Sequence, residues 1–553
     1  MRQIVLRSAM LAYHIRYWRR LQRHAARPTE TQAGVLAQIL ARNCDTEFGL
    51  AHRFAAIATP DAFRTRVPVQ EYESLRPYVE RQRTTGAPAL TSEPPIFYAQ
   101  TSGSTGAPKY IPVTATTLRN HREDQALFTY LQYRARPDAF AGSAWGIMGA
   151  AVEGRLDSGH VVGSVSGHLY QSLPRALQAR LVVPPDVSSI EDYDLKYSVV
   201  LRLAIGRPDV TYLGSPNPST FLRLLDLLNE RRDELARSLE TGSFDRMDDL
   251  EPHVRAALTA RMGRDPERAA LLKTGKTLTF ADLWPHIKLL TTWTGGSCGI
   301  ALDALRPSLP RACAVMELGY QATEMRGTLA LESETAGGLP PLHHSYFEFV
   351  PQEGWDARAP EFVGLSDLVS GQRYYVVVTT AAGLYRYFMN DLVEVTGRFR
   401  DTPLLRFVQK GRGVTSLTGE KLYEGQAIDA VQAVARAHGI DTRFFLLVAD
   451  DTLGRYHLYL EADVRLEATP HATRPVGLAA AIDERLGALN VEYRSKRLSA
   501  RLSPLAVSWL RAGAAESYKA SAVQRGQREG QFKPSALQYR RDLRWAVEPH
   551  VVA

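Results

Sequence analysis

Cysteine is scarce in this chain: 553 residues hold only Cys44, Cys298 and Cys313. Their spacing fits neither a disulfide framework nor a metal-binding cluster, so the thiols are expected to be structural and the compartment reducing, that is, cytoplasmic. Long apolar runs are missing as well. Without an uninterrupted stretch of about 18 apolar residues, no spanning helix and no stable membrane insertion are expected. Acids are absent from the first 29 positions, where Arg2, Arg7, Arg16, Arg19, Arg20, Arg23 and Arg27 precede Glu30. Arg7 breaks the apolar segment that a secretory signal needs. A basic amphipathic helix of this kind can lie on a membrane surface; the expectation here is a first helix docked on its domain with the arginines in water. The whole chain carries a formal charge of +8, but basic and acidic residues interleave as on an ordinary solvated surface, so nucleic acid is not an expected partner.

Apolar residues make up 45% of the sequence, enough for sizeable cores, and the length exceeds what one core organises, so at least two domains are expected. Between residues 90 and 410, short β-branched or aromatic segments such as "SAWGIMG", "DVTYLGS", "LLTTWTGG", "ACAVMELGY", "SYFEFV", "YYVVVTT" and "LVEVTG" alternate with helical ones. One of these, "NPSTFLRLLDLLNERRDELARSLE", reads as a single helix that Asn217 and Ser219 can cap. This alternation predicts an α/β fold with mostly parallel sheets. After "LLRFVQKGRG" the pattern becomes helix, a hairpin around Asp451 and Gly454, helix and a further strand at "LAVSWLRAG", a small α+β unit. Gly411 and Gly413 flank Arg412 at the change, where glycine permits a hinge. The expected domains are therefore residues 1–410 and 411–553.

The richest chemical signal is "FYAQTSGSTGAPKYIPVT", Phe97 to Thr114. An apolar strand-like segment leads into Thr101, Ser102, Gly103, Ser104, Thr105 and Gly106, Lys109 closes the run, and a helix is expected from about Thr116. Glycines let backbone approach phosphate oxygens, N–H groups and hydroxyls surround them, and a lysine adds charge. The Walker pattern requires Gly-Lys followed by Ser or Thr; Pro108-Lys109-Tyr110 departs from it. A plain flexible loop is the bland alternative. In "ELGYQATEMRG", Tyr320, Thr323 and Glu324 follow a strand-like run, where α/β proteins place ligands: a ring for a base, a hydroxyl for a phosphate, a carboxylate for Mg²⁺. In "GLYRYFMNDLVEVTGR", Asp391 stands at the beginning of a strand and can accept two ribose hydroxyls, although a turn cap is an ordinary use of Asp. Lys533, in "RGQREGQFKPSAL", means little by itself. His121, His160, His168, His343 and His344 are left unassigned.

Taken in order, "TSGSTGAPK", "YQATE" and "YRYFMND…TGR" resemble the motifs of the acyl-adenylating superfamily over nearly the whole chain. With "YFEFVP", "LYRY" and "GQFKPSAL", the chain most resembles the auxin-responsive Gretchen Hagen family of acyl-acid amido synthetases, in a bacterial-looking form. The resemblance implies a large N-terminal domain that binds ATP and the acyl acid, and a small mobile C-terminal one. It implies a phosphate loop from Thr101 to Lys109, Tyr320 beside adenine, Thr323 at the α-phosphate, Glu324 at Mg²⁺ and Asp391 on the ribose. Arg412 would lie in the hinge region, and Lys533 would swing over the site. Met389 and Asn390 depart from the aliphatic-glycine pair of many relatives. The implied activity is ATP-dependent activation of a carboxylic acid, followed by transfer to an amine, with an amino acid the expected acceptor. An acyl-CoA ligase using the same first step and a non-catalytic nucleotide-binding regulator are the alternatives. The expected assembly is a monomer or weak oligomer.

Overall fold

The computed structural model describes residues 2–552, apart from 102–108, 296, 357–359, 412, 419, 463–476, 499–501, 526, 528–531 and 533. Internal packing divides the chain into two units: Met1–Pro216, Thr220–Trp293 and Ser308–Phe407 form one, and Asn217–Ser219, Thr294–Pro307 and Val408–Ala553 the other.

In the first unit, strands Ser143–Gly146, Val210–Gly214, Leu289–Thr292 and Ala314–Glu317 form a four-stranded sheet in chain order with every neighbour parallel. This is the parallel sheet that the alternating pattern predicts. Leu289–Thr292 is buried at all four positions, as befits a strand covered on both faces. A second, five-stranded sheet runs in the order Val363–Gly364, Ser345–Pro351, Arg373–Thr380, Tyr387–Phe399 and Thr402–Lys410. Its first three pairings are antiparallel. The six residues between Thr380 and Tyr387 turn the chain directly back, whereas a parallel crossover needs a dozen or more.

The third sheet holds the hairpin Phe97–Thr101 and Lys109–Val113, whose five antiparallel pairs run from Phe97 opposite Val113 to Thr101 opposite Lys109. The Ser/Thr/Gly stretch therefore joins two strands, where the sequence suggested strand, loop and helix. Pro112 hides the second strand from a propensity reading, yet it is tolerated because this strand lies at the sheet edge. The helix follows at Ala115–Ala135, capped by Thr114, whose side chain accepts from Thr117 N. Gln132 Nε2 donates to Tyr212 Oη and Thr291 Oγ1, both at 3.0 Å, fastening this helix to the parallel sheet.

At the N-terminus, Met10, Trp18, Leu21 and Ala25 are buried, and Trp18 packs 5.5 Å from the Phe399 ring. The first helix is docked, as expected. The segment from Asn217 to Glu240 is two helices, Ser219–Glu230 and Arg232–Thr241, where one was expected. Arg231 leaves helical geometry at φ −112°, and its guanidinium donates to Ser198 Oγ and Asp194 Oδ1. Each half buries leucines of its own, Leu224 and Leu228 in the first, Leu235 and Leu239 in the second.

The second unit is the small α+β body that the sequence predicts. Thr442–Asp450 and Arg455–Ala462 form the hairpin, with Gly454 in the left-handed region at φ +57°. Ala506–Leu510 and Leu537–Tyr539 add on either side, parallel to their neighbours. Helices Glu424–Ala437 and Leu478–Leu489 bury Val431 and Ile482 against Leu447 and Leu458 in one core. Among the described residues no helix is long and apolar enough to cross a membrane.

Candidate active site

The hairpin fixes Lys109 first. Its backbone pairs with Thr101, and its Nζ donates to Tyr387 Oη at 3.3 Å while standing 5.5 Å from the centre of the Tyr72 ring. Tyr72 is itself pinned by the same strand: its hydroxyl donates to Tyr110 O at 3.2 Å and accepts from Tyr110 N at 2.7 Å. Burial raises the Tyr72 pKa to about 12, so the phenol is neutral beside the ammonium. Tyr387 is held by the backbone pair of Gln70, with Gln70 N donating to Arg386 O and Phe388 N to Gln70 O. Sequence reading gave Tyr72 and Tyr387 no role; the only hint was the place of Tyr387 within "LYRYF".

Beyond the parallel strand Ala314–Glu317, the chain makes a tight turn in which Gln321 bridges Arg326 and Ala322 N donates to Met325 O at 2.9 Å. Thr323 and Glu324, both half-buried, occupy the tip. Tyr320 enters the interior just before it. Its ring stacks on Phe407 at 5.6 Å and 24°, and its hydroxyl donates to Asp391 Oδ2 at 2.8 Å. Gly327 lies against the ring: a Cβ there would stand 2.2 Å from Tyr320 Cδ1, so any side chain would displace the tyrosine. One face of the ring is thus already occupied by protein.

Asp391 is 1% exposed and lies inside the strand Tyr387–Phe399, four residues after its start, where a strand beginning was expected. The ladder breaks here: Tyr375 pairs with Leu392 and Val377 with Phe388, so Met389, Asn390 and Asp391 face the single residue Val376. Such a bulge re-aims a side chain. Asn390 takes up the turn at φ +53°, the left-handed region that asparagine enters more readily than most residues. That explains how the chain dispenses with a glycine before Asp391.

Electrostatically these groups form one constellation. Burial, then the charge of Asp391, then that of Glu324 raise the Tyr320 phenol well above its ordinary value. Burial, then Glu324, with Asp391 also contributing, do the same to Tyr387. Lys109, Tyr387, Glu324, Asp391 and Tyr320 thus act on one another inside the first unit, although Lys109 and Asp391 stand 282 positions apart in sequence. Thr101 ends the first strand of the hairpin. Ser102, Gly103, Ser104, Thr105, Gly106, Arg412 and Lys533 lie outside the described residues.

The arrangement offers a cation at a Gly-rich loop, a half-buried carboxylate and a buried carboxylate with a phenol, the equipment for an anionic, hydroxyl-bearing ligand such as a nucleotide. Comparison with known proteins agrees with this chemistry. Models of the GH3 family N-terminal domain, central domain and C-terminal domain match residues 18–312, 339–410 and 425–542. A rice (Oryza sativa subsp. japonica) protein described as probable indole-3-acetic acid-amido synthetase GH3.2 is 28% identical, covering 91% of this chain and 87% of its own. Probable indole-3-acetic acid-amido synthetase GH3.1 of Arabidopsis thaliana is 26% identical over 91% and 88%. Among solved structures, GH3.15 acyl acid amido synthetase superposes with a TM-score of 0.84 at 22% identity, over 96% of both chains. A 2-hydroxyisobutyryl-CoA ligase in the postadenylation state has a TM-score of 0.56 at 13% identity, over 92% and 89%.

Proposed function

The chain belongs to the GH3 family, and from that premise we propose how this ATP-dependent acyl-acid amido synthetase carries out its reaction. A substrate carboxylate attacks the α-phosphorus of ATP, giving an acyl-adenylate and pyrophosphate. An amine, in our reading that of an amino acid, then attacks the acyl carbonyl, forming the amide and releasing AMP. The observation that carries this reading is the convergence of Lys109, Glu324 and Asp391 on the Tyr387 and Tyr320 phenols.

The loop from Thr101 to Gly106, closed by Lys109, binds the triphosphate; Thr323 contacts the α-phosphate, Tyr320 borders adenine and Asp391 holds the ribose. The first step brings two anions together, so positive charge must meet them, and each such contact is worth roughly 10²- to 10³-fold in rate. Glu324 suits Mg²⁺, because this ion is commonly held by one or two carboxylates together with substrate phosphates, and Glu324 is a half-buried carboxylate at the tip of a tight turn. Bound there, Mg²⁺ would offset phosphate charge. Lys533 completes the charge from the C-terminal part, with Arg412 in the hinge region between residues 1–410 and 411–553, so that one site serves two steps. We place the enzyme in the cytoplasm, as a monomer or weak oligomer.

The test is a screen of carboxylic acids against amines with pyrophosphate detection. An acid-dependent release of pyrophosphate from ATP, coupled to amide formation, is expected. Trapping by hydroxylamine separates an adenylate-forming enzyme from a nucleotide-binding regulator. Consumption of coenzyme A in place of the amine would assign the acyl-CoA ligase chemistry instead.

A further inference from the structure

We infer that Glu123, His343 and His344 form a binding site for a divalent transition-metal ion of the zinc type, separate from the Mg²⁺ position at Glu324. One ligand atom from each lies within 4.8 Å of the others, and His344 Nε2 is 3.5 Å from Glu123 Oε2. Nitrogen and oxygen ligands at about 2.0–2.2 Å from a tetrahedral zinc stand roughly 3.3–3.6 Å apart, so this pair already has the required spacing. On the other edge of the same ring, His344 Nδ1 is 3.0 Å from Asp124 Oδ1. A carboxylate on the distal nitrogen is the usual device for fixing the tautomer and direction of a ligating histidine. Asp124 is buried and follows Glu123 directly on helix Ala115–Ala135.

His343 supplies an independent observation. Its Nδ1 is buried and makes no hydrogen bond among the described residues. A buried polar atom of that kind is unfavourable until a partner meets it. The ring packs on His344 at 3.9 Å and stacks on His24 at 5.2 Å, and His24 is occupied elsewhere through Thr31 Oγ1. Arg20, 3.6 Å from Glu123 Oε2, competes with a cation for that carboxylate. The site lies at helix Ala115–Ala135 and the entry to strand Ser345–Pro351, with Arg20 and His24 of helix Arg19–Ala25 beside it. Built of histidine and carboxylate, it escapes a search based on cysteine spacing.

The experiment uses the untagged full chain, stripped with EDTA and titrated with zinc alone. Bound metal is measured by elemental analysis, and zinc-dependent change in Tm is followed in parallel. One zinc per chain and a rise in Tm are expected, with affinity falling by about tenfold or more in Glu123→Gln and in His343→Asn. His253→Asn, an exposed histidine elsewhere, should bind as the wild type does. No stoichiometric zinc on the wild type, or unchanged affinity in a folded Glu123→Gln or His343→Asn protein, overturns the assignment; if one variant fails to fold, the other decides.

Discussion

Tyr320 donates to Asp391 at 2.8 Å, linking the loop after the parallel sheet to the bulged strand of the antiparallel one. A hydrogen bond to a charged partner contributes about 1.5–3 kcal/mol. Tyr320→Phe should therefore release Asp391 from this restraint, weakening ATP binding by about tenfold or more, with far-ultraviolet circular dichroism unchanged. An ATP titration read by pyrophosphate exchange checks it. Unaltered affinity would show that the phenol does not hold Asp391 for the nucleotide.

Lys109 rests on Tyr387 and above Tyr72, so its ammonium is held at the start of the second hairpin strand. Lys109→Ala should lower acid-dependent pyrophosphate release by about 10²- to 10³-fold without unfolding the protein. Lys533→Ala should slow adenylate formation while leaving ATP binding largely intact, a split visible in rapid-quench measurements against equilibrium binding. Adenylation at the wild-type rate by either variant removes that lysine from the mechanism.

Glu348, 1% exposed, accepts from Arg386 Nε at 3.0 Å and from Arg64 Nε at 3.1 Å. Removing one member of a buried ion pair leaves uncompensated charge and costs about 3–5 kcal/mol. Glu348→Ala should lose about that much stability in urea unfolding. Since Arg386 immediately precedes Tyr387, activity should fall with it.

Asp282 completes the capping box of the short helix Phe280–Leu283, whose N-cap is Thr279, by accepting from Thr279 N at 2.8 Å, and it accepts from Lys276 Nζ at 2.7 Å. The Lys276 hydrogen bond, then that of Thr279, depress its pKa to about 2. A carboxylate depressed on folding stabilises above its unfolded pKa, about 3.9, and that contribution is lost as pH falls from there through about 2. Asp282→Asn should therefore destabilise by about 1 kcal/mol at neutral pH, and the gap to wild type should close between pH 4 and pH 2. A constant gap across that range would count against the charged cap.

At Asn390, φ +53° favours glycine or asparagine. Asn390→Gly should keep stability within about 1 kcal/mol, whereas Asn390→Val should cost about 1–3 kcal/mol and misdirect Asp391, raising the KM for ATP. Thermal unfolding and steady-state kinetics measure both.

Features written in contiguous residues were readable from the sequence. The hairpin around Gly454 announced itself by its turn, and the parallel sheet by its apolar runs. Lys109, Thr323 and Glu324 stood out because each sits beside a loop or strand end, and Asp391 because it was read as a strand beginning. What escaped depends on distant partners. No local pattern ties Lys109 to Tyr387, 278 positions away. Pro112 concealed an edge strand, and the bulge that buries Asp391 is visible only against Val376 across the ladder. The break at Arg231 depends on Asp194 and Ser198, contacts that helical periodicity does not encode.

The five paired positions that flank residues 102–108 bear on how substitutions in that segment act. A zipper that ends at Thr101 and Lys109 carries its own register, so replacements among residues 102–108 need not be repaid anywhere else in the framework. Substitutions there are expected to change turnover while the melting temperature stays close to that of the wild type.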